Sequence, residues 1–298
     1  PLRTQLALER LARLLDGDGA AAAEAPRDSR VRERRVLLFE DNPVNRRVAE
    51  HQLVKLGCRV GVAGNGLEAL AAWEAGSWDL VLMDCQMPLL DGFGCTREIR
   101  RREPAGRRVP IVALTANALQ GDREACLAAG MDDYLTKPLE PARLAATLER
   151  WLAAPRAPGA GAPLPHGAAR TTGRSVAATP DPVPAATEAS APVDLDELRG
   201  LTDGDAEFAR ELVAVFVASG DRELAAIAQA LRSDDYGKLR THAHALKGAG
   251  ANLRARGVAS AAARLEAAAA AADGRACREA LTALERDYRI AVEYLGGR

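Results

Sequence analysis

The feature that most constrains this chain is a long stretch, residues 153–193, that contains almost no large apolar side chain. Its residues are mainly Pro, Ala, Gly, Ser and Thr, so it cannot bury enough surface to offset the entropy of ordering. We predict a disordered linker, which as a coil of roughly 40 residues would span about 35–40 Å. The flanking regions, residues 36–152 and 194–298, must therefore each build a core of their own.

The composition allows two such cores and argues against several classes of protein. Of the 298 residues, 48% are apolar but only 4% are aromatic, so Leu, Val and Ala must fill the cores. The net charge of -1 gives no electrostatic reason to expect nucleic-acid binding. The five cysteines are scattered without a C-x-x-C pair, which indicates reduced thiols in the cytoplasm. No apolar run reaches the ~18 residues of a membrane span, so we expect no membrane contact from this region.

Residues 36–152 alternate short apolar runs with amphipathic stretches. Continuous apolar runs are typical of parallel strands that helices cover on both faces. The alternation predicts an α/β fold with a doubly wound, five-stranded parallel sheet. The predicted strands are residues 36–39, 60–63, 80–83, 111–114 and 134–136, and the predicted helices are residues 43–56, 66–75, 92–101, 118–129 and 141–151.

Polar residues stand where the predicted strands end: Glu40 and Asp41, Asp84, Thr115, and Lys137. In a doubly wound sheet these ends converge on one edge, where ligands bind. Three neighbouring carboxylates repel one another unless a cation joins them, and Mg²⁺ suits such a site. A hydroxyl and an ammonium group could then bind the oxygens of a phosphoryl group on Asp84. Taken singly, Asp41 could equally cap a helix, and Lys137 could be an ordinary surface lysine.

This region resembles the receiver domain of response regulators. The resemblance covers the whole region in order and rests on Phe39-Glu40-Asp41-Asn42, Asn65-Gly66-Leu67-Glu68-Ala69-Leu70, Leu82-Met83-Asp84-Cys85-Gln86-Met87-Pro88-Leu89-Leu90-Asp91-Gly92, Ala113-Leu114-Thr115-Ala116 and Tyr134-Leu135-Thr136-Lys137-Pro138-Leu139. It implies a flavodoxin-like sheet with strand order 2-1-3-4-5. Haloacid dehalogenase-like phosphatases also use a strand-end aspartate, but they need a second acid two residues later, where this chain has Gln86.

The resemblance also implies a role for each of the site residues. Asp84 would be the phosphoacceptor. The Mg²⁺ ligands would be Glu40, Asp41, Asp84 and the backbone carbonyl of Gln86. Thr115 and Lys137 would contact the phosphoryl group, and Thr115 and Tyr134 would change position on activation.

After residue 193 the strand pattern disappears, and five amphipathic stretches predict an all-α domain, an antiparallel helix bundle. The predicted helices are residues 205–219, 221–232, 236–253, 258–271 and 274–295. The breaks between them are predicted at Gly220, Ser233-Asp234-Asp235, Gly257 and Asp273-Gly274.

Two of the four histidines, His242 and His244, lie on the third of these helices, whereas His51 and His166 are interpreted as structural. The apolar stripe of the helix is Leu239, Ala243, Leu246, Gly250 and Leu253. At about 100° per residue, His242 falls roughly 60° from the stripe's centre and His244 roughly 140°, towards solvent. Neutral imidazole is a nucleophile, and Lys247 one turn later could accompany a phosphoryl group. A metal site shared by both histidines is disfavoured, because they point to different faces.

The stretch Ala243-His244-Ala245-Leu246-Lys247-Gly248, followed by Ala251-Asn252-Leu253, resembles the histidine phosphotransfer (HPt) domain. The resemblance implies a four-helix bundle in which His244 accepts the phosphoryl group, assisted by Lys247, without kinase activity of its own. Gly248 would let a partner approach closely. Arg254 departs from the family, which commonly has a small Gly at that position, and this leaves the local packing open.

The first residues suggest a further domain. The spaced pattern Pro1-Leu2, Leu11, Arg13, Leu15 recurs as Pro138-Leu139, Leu148, Arg150, Leu152. Residues 1–16 therefore resemble the last helix of a preceding receiver, with an unrelated linker helix as the alternative, and residues 17–35 are predicted to be a linker. Since the chain begins at Pro1, we expect a longer polypeptide. The resemblances suggest the C-terminal part of a hybrid sensor histidine kinase anchored in the inner membrane.

These predictions combine into a two-component phosphorelay. A histidine kinase domain of the same polypeptide would phosphorylate Asp84 with Mg²⁺, and the group would pass to His244 and then to the receiver of a separate response regulator. The sequence has no ATP-binding region, so no kinase activity is predicted for it. The alternative is a phosphorylation-controlled interaction switch, in which His244 drains phosphate in reverse. A DNA-binding output is disfavoured, because no helix-turn-helix or basic patch follows the receiver.

Overall fold

The computed structural model describes residues 31–87, 90–115, 120–152 and 191–296. The predicted helix at 1–16, most of the predicted linker at 17–35 and nearly all of the predicted linker at 153–193 lie outside these ranges. The boundaries assigned to those segments therefore stay predictions.

The first described region is a five-stranded parallel sheet with the order β2-β1-β3-β4-β5, which confirms the predicted fold. Its strands are β1 (Arg35–Phe39), β2 (Arg59–Ala63), β3 (Leu80–Asp84), β4 (Ile111–Thr115) and β5 (Asp133–Thr136). Its helices are α1 (Pro43–Lys55), α2 (Gly66–Ala75), α3 (Gly92–Arg102), α4 (Gln120–Ala129) and α5 (Pro141–Leu152). Strands β3 and β4 are buried along their whole length, as their continuous apolar runs predict.

Side-chain caps mark where the first three helices begin. The side chains of Asn42, Asn65 and Asp91 accept hydrogen bonds from backbone N–H groups in the first turns of α1, α2 and α3. The caps fix where each helix begins, and the parallel order of the strands places their polar ends at one edge. Val31 is also buried in this region, although it precedes the predicted start at residue 36.

The second described region is helical, as predicted. It comprises α6 (Leu195–Leu201), α7 (Ala206–Arg232), α8 (Tyr236–Asn252), α9 (Arg256–Ala270) and α10 (Gly274–Gly296). Helix α8 packs between α7 and α9, while α10 packs against α9 and α7. The short helix α6 was not predicted. Among the described residues, no helix combines the length and apolar character needed to cross a membrane.

The predicted break at Gly220 is wrong, because α7 continues through this residue without interruption. Gly220 instead leaves space for a side chain of another helix to pack against its backbone. The ring of Tyr288 lies across it, and a Cβ atom at Gly220 would come within 2.4 Å of that ring. The Tyr288 hydroxyl donates to the carbonyl of Val217 at 2.9 Å and holds the ring in place. The glycine thus allows two helices to approach rather than ending one of them.

The predicted break at Gly257 is also misplaced. Helix α8 ends at Asn252 and α9 begins at Arg256, so Gly257 lies inside a helix. The chain reverses at Arg254, whose φ of 60° lies in the left-handed region that favours glycine. This conformation explains why a small residue suits the position and why Arg254 can occupy it only at some conformational cost.

The two regions pack together through α1, which lies against α7 and α8. Val44 and Val48 of α1 are fully buried and belong to the same apolar cluster as the core of the helical region. A helix of the sheet region therefore contributes apolar side chains to the core of its neighbour.

Candidate functional site

The strand ends bring three carboxylates together, as predicted. Glu40 and Asp41 follow β1, Asp84 ends β3, and an oxygen from each of the three lies within 4.8 Å of the others. Glu40 and Asp84 are almost completely buried, with 1% and 3% of their surface exposed. Oxygen donors at this spacing could hold a small divalent cation such as Mg²⁺.

The ammonium group of Lys137 provides positive charge within this cluster. Its Nζ lies 2.6 Å from Oε2 of Glu40 and 2.6 Å from Oδ2 of Asp84. The backbone N–H of Gln86 donates to the other oxygen of Asp84 at 3.0 Å. One ammonium group faces three carboxyl groups, so a bound cation could balance part of the remaining negative charge.

The pKa values of the carboxyl groups reflect their burial and the charges around them. Burial raises the pKa of Glu40 to about 8, although the charge of Lys137 opposes this shift. Burial and repulsion from Asp84 raise the pKa of Asp41 to about 6, while Lys137 and His244 act in the opposite direction. Burial alone would lower the pKa of Lys137, but the two carboxylates outweigh it and the pKa is raised. A bound cation would favour the ionised carboxylates in the same way.

The other predicted residues lie on or next to β3, β4 and β5. Thr115 ends β4 and is buried, and its carbonyl accepts a hydrogen bond from the Lys137 backbone N–H at 2.7 Å. Tyr134 lies in β5 opposite Ala113 of β4 and is half-buried. Gln86 follows β3 and is exposed. The sheet thus brings Glu40, Asp41, Asp84, Thr115 and Lys137 to one edge, whereas Tyr134 lies two residues before the end of β5. The individual roles of these residues stay predictions.

His244 lies on α8 and is held from α9 by a residue that the sequence did not reveal. Its Nδ1 is 2.7 Å from Oε1 of Glu266, and Nζ of Lys247 is 2.7 Å from Oε2 of the same carboxylate. Burial alone would raise the pKa of Glu266, but hydrogen bonds from His244 and Lys247 lower it to about 2. The carboxylate is therefore ionised and can only accept. His244 must carry its proton on Nδ1, which leaves the lone pair on Nε2 when the ring is neutral.

His242 has a similar partner but a different setting. Its Nδ1 is 2.8 Å from Oε2 of Glu223, on α7. The predicted apolar stripe of α8 is buried, as expected. His244, however, was predicted to be open to solvent, and its side chain is only 21% exposed, against 32% for His242. A single-helix projection leaves out contacts from other elements, such as that of Glu266 on α9 with His244.

Polar contacts join the acidic cluster to α8. The side-chain amide of Asn42 donates to the carbonyl of Ala245, the residue after His244, at 2.7 Å. Asn252 donates to Oδ1 of Asn45 at 2.7 Å, and Asn45 in turn donates to Glu40 at 3.0 Å. A chain of hydrogen bonds therefore runs from α8 across the domain boundary to a buried carboxylate of the sheet edge.

Gly248 allows this close approach, as the sequence suggested. A Cβ atom at this position would lie 3.0 Å from the side-chain nitrogen of Asn45. The residue that approaches it belongs to the same chain. A larger residue at this point would push α1 away from the helix that carries His244.

Charged and aromatic contacts surround the polar centre of the boundary. Arg47 forms a two-pronged ion pair with Glu211, with both N–O distances at 2.7 Å. Lys55 pairs with Asp203. The ring of His51 stacks on Phe208, with centroids 3.7 Å apart and planes 7° from parallel. His51 was interpreted as structural, and this contact gives it a place in the boundary between the domains.

Comparison with known proteins identifies both domains. Residues 36–149 match the family model of the response regulator receiver domain, and residues 211–292 match that of the Hpt domain. Sensor histidine kinase GacS of Pseudomonas protegens is 35% identical over 217 residues, which are 72% of this chain and 22% of that protein. The hybrid signal transduction protein dokA of Dictyostelium discoideum is 45% identical over 117 residues, 39% of this chain and 7% of that protein. The chain thus spans less than a quarter of either relative.

A solved structure is also similar. The receiver domain of a sensor histidine kinase of Pseudomonas aeruginosa, crystallised with a magnesium ion in its active site cleft, is 54% identical. The match covers 41% of this chain and 99% of that one, with a TM-score of 0.39. The family matches confirm both resemblances seen in the sequence. Residues 36–149 belong to the response regulator receiver family and residues 211–292 to the HPt family, so the chain joins two domain types of a two-component phosphorelay.

Proposed function

We propose that this chain transfers a phosphoryl group between Asp84 and His244 in a Mg²⁺-dependent phosphorelay. One observation carries the proposal: α1 of the receiver lies on the helix of His244, with Asn42 bonded to the carbonyl of the adjacent Ala245. His244 is also close enough to Asp41 to lower its pKa against the larger effect of burial, which raises it. The donor carboxylate and the acceptor imidazole thus belong to neighbouring faces of one docked unit.

The proposed step forms one bond and breaks one. The Nε2 lone pair of His244 attacks the phosphorus of phosphorylated Asp84 and forms a P–N bond. The P–O bond to Asp84 breaks, and its electron pair stays on the carboxylate, which the Lys137 ammonium group stabilises. Positive charge develops on the imidazole, and the negative carboxylate of Glu266 at Nδ1 stabilises that charge. The same groups serve the reverse reaction.

The remaining predicted residues act on the phosphoryl group or its signal. Mg²⁺ bound by Glu40, Asp41, Asp84 and the carbonyl of Gln86 would neutralise the phosphoryl oxygens. Carboxylate oxygens of Glu40, Asp41 and Asp84 that lie within 4.8 Å of one another fit this ion. Thr115, Lys137 and Lys247 would contact phosphoryl oxygens, and Thr115 and Tyr134 would report phosphorylation by changing position.

The sequence relatives support a proposal for the parent protein. We propose a hybrid sensor histidine kinase anchored in the inner membrane, with this region in the cytoplasm. Its kinase domain would phosphorylate Asp84, and His244 would pass the group to a receiver on a separate response regulator. Sensor histidine kinase GacS is similar to this chain across parts of both domains, over 217 residues.

Labelling with a small acyl phosphate tests the proposal. Wild type, Asp84→Ala, His244→Gln and His242→Gln are incubated with the donor, with and without Mg²⁺. The stability of the label in acid and base distinguishes phosphoaspartate from phosphohistidine. Label should reach histidine only when Mg²⁺, Asp84 and His244 are all present. Label on histidine in His244→Gln but not in His242→Gln would contradict the assignment, and label that stays on Asp84 would favour the interaction switch.

A further inference from the structure

A cleft at the other end of the receiver sheet takes no part in the proposed function. Its volume is about 350 Å³, which is within the range of small-molecule sites. One wall is formed by the end of α2 and the turn into β3, and the other by the segment between α3 and β4. The cleft lies where β3 begins, whereas Asp84 ends that strand. The five residues of β3, at about 3.3 Å each, therefore separate the two sites by roughly 15 Å.

Two half-buried tryptophans, Trp73 and Trp78, line this cleft. The ring of Trp78 is held in place, because its Nε1 donates to the carbonyl of Ala72 at 3.0 Å and a Cβ atom at Gly61 would collide with the ring. The guanidinium group of Arg35 lies 4.9 Å from the centre of the same ring. Trp73 differs, because its indole N–H donates to no other residue that the structure describes. This N–H group is therefore available to a ligand in the cleft.

One positive charge of the cleft also has no protein partner within the described ranges. The carboxylate of Glu74 pairs with Arg102, and that of Glu103 accepts a hydrogen bond from Arg100 at 2.8 Å. Both acidic groups that line the cleft are thus engaged. The exposed guanidinium group of Arg107, which lines the cleft as well, pairs with no carboxylate of the described residues. The cleft therefore presents one unpaired cation beside two indole rings.

We propose that this cleft binds a small planar aromatic carboxylate. The indole rings pack against the ring of the ligand, since aromatic pairs attract beyond the area that they bury. The guanidinium group of Arg107 pairs with the carboxylate, because its N–H groups match the two oxygens of such an anion. The indole N–H of Trp73 supplies a further donor.

The charge of the cleft favours an anion with a single negative charge. One unpaired guanidinium group, that of Arg107, balances one carboxylate. A nucleotide phosphate would bring more negative charge close to Glu74 and Glu103, and like charges placed near each other cost free energy. The proposal therefore excludes nucleotides as the preferred ligands.

Binding at this cleft should be independent of phosphotransfer. The residues that line the cleft belong neither to the acidic cluster nor to α1, which joins the receiver to the HPt domain. Neither Mg²⁺ nor phosphorylation of Asp84 is therefore required, and the site can be tested on the whole chain without any transfer of phosphate.

Isothermal titration calorimetry with 2-naphthoate, a two-ring aromatic carboxylate, tests the chemical class. Two matched probes each lack one feature: 2-naphthamide keeps the rings without the charge, and decahydro-2-naphthoate keeps the charge without the aromatic rings. The dissociation constant of 2-naphthoate should be about tenfold lower than that of 2-naphthamide, because a hydrogen bond to a charged group contributes at least that factor. It should also be about fivefold lower than that of decahydro-2-naphthoate. Guanosine monophosphate should bind more weakly than 2-naphthoate.

Nitrogen-15 NMR of the indole N–H groups shows where 2-naphthoate binds. The chain has three tryptophans, and the third, Trp151, lies on α5 with its N–H bonded to Asp133 at 2.9 Å. Substitution of each tryptophan by phenylalanine assigns the three signals. The ligand should shift the signals of Trp73 and Trp78 and leave that of Trp151 unchanged.

Two arginine variants separate the role of the Arg107 charge from a general effect of net charge. Arg107→Gln changes an exposed residue and should weaken 2-naphthoate binding about tenfold, while the affinity for 2-naphthamide should change by less than about twofold. The matched control is Arg143→Gln. Arg143 lies on α5, outside the cleft, and pairs with Glu140 at 2.9 Å. This variant should leave the affinity for both probes unchanged.

Three results would overturn the proposal. Unchanged indole signals of Trp73 and Trp78 at millimolar 2-naphthoate would exclude the site. Equal affinity of wild type and Arg107→Gln for 2-naphthoate would exclude recognition of the carboxylate. Tighter binding of guanosine monophosphate than of 2-naphthoate would assign the cleft to nucleotides. None of these results bears on transfer between Asp84 and His244, which the labelling experiment tests separately.

Discussion

Replacing Glu266 tests whether its contact with His244 promotes phosphotransfer. Its carboxylate accepts from His244 Nδ1 at 2.7 Å and from Lys247 Nζ at 2.7 Å, and 22% of its side chain is exposed. Glu266→Gln keeps the size of the side chain and removes its charge. A hydrogen bond to a charged group contributes about 1.5–3 kcal/mol and a neutral one about 0.5–1.5 kcal/mol, so about 1–1.5 kcal/mol is lost as the imidazole becomes positive. Transfer from Asp84 to His244 should slow about tenfold.

Rapid-quench, single-turnover transfer within the whole chain is the assay. The matched control is Glu223→Gln, which removes the same charge from the partner of His242 and should leave the rate unchanged. The nitrogen-15 NMR spectrum of His244 adds a readout that a purely structural role would not affect: the Nδ1–H tautomer should dominate in wild type and lose that dominance in Glu266→Ala. A wild-type rate in Glu266→Gln, or equal slowing in both glutamine variants, would refute a positioning role for Glu266.

Three further predictions concern packing and pH. Gly248→Ala should raise the free energy of unfolding of the HPt domain by about 0.5–1 kcal/mol in thermal melts, because alanine favours a helix. It should nevertheless slow transfer from Asp84 to His244, because its Cβ would lie 3.0 Å from Asn45. Gly237→Ala, whose Cβ would meet only a side-chain oxygen at 3.5 Å, should raise the free energy of unfolding without slowing transfer. Phe216 is fully buried in the HPt core, so Phe216→Ala should lower the free energy of unfolding by about 3–5 kcal/mol in denaturant titrations, and a loss below 1 kcal/mol would contradict the assigned core. Burial raises the pKa of Glu266, but its hydrogen bonds outweigh burial and lower the pKa from 4.5 to about 2. The stability that the ionised carboxylate contributes is therefore present above pH 4.5 and is lost as the pH falls towards 2. The free energies of unfolding of wild type and Glu266→Gln should converge over that range, and a constant difference between them would contradict this assignment.

Much of the receiver site could be predicted from the sequence, because its chemistry follows from local patterns and one rule of topology. Continuous apolar runs indicate buried parallel strands, and the carboxyl ends of such strands meet at one edge. Glu40, Asp84 and Lys137 were therefore expected together, and Lys137 contacts both carboxylates. The buried stripe of α8 followed from helical periodicity in the same way.

The tertiary structure decided what depends on segments that are distant in the sequence. Glu266 reaches His244 from another helix, and His51 stacks on Phe208 across the domain boundary. Gly220 was expected to end a helix, but Tyr288 packs over it and the helix continues. Propensity and periodicity describe one element at a time, whereas these contacts arise from how elements pack against each other. The sequence by itself therefore determined the two folds and the candidate reactive groups, and the packing of α9 and α1 against α8 determined what lies beside them.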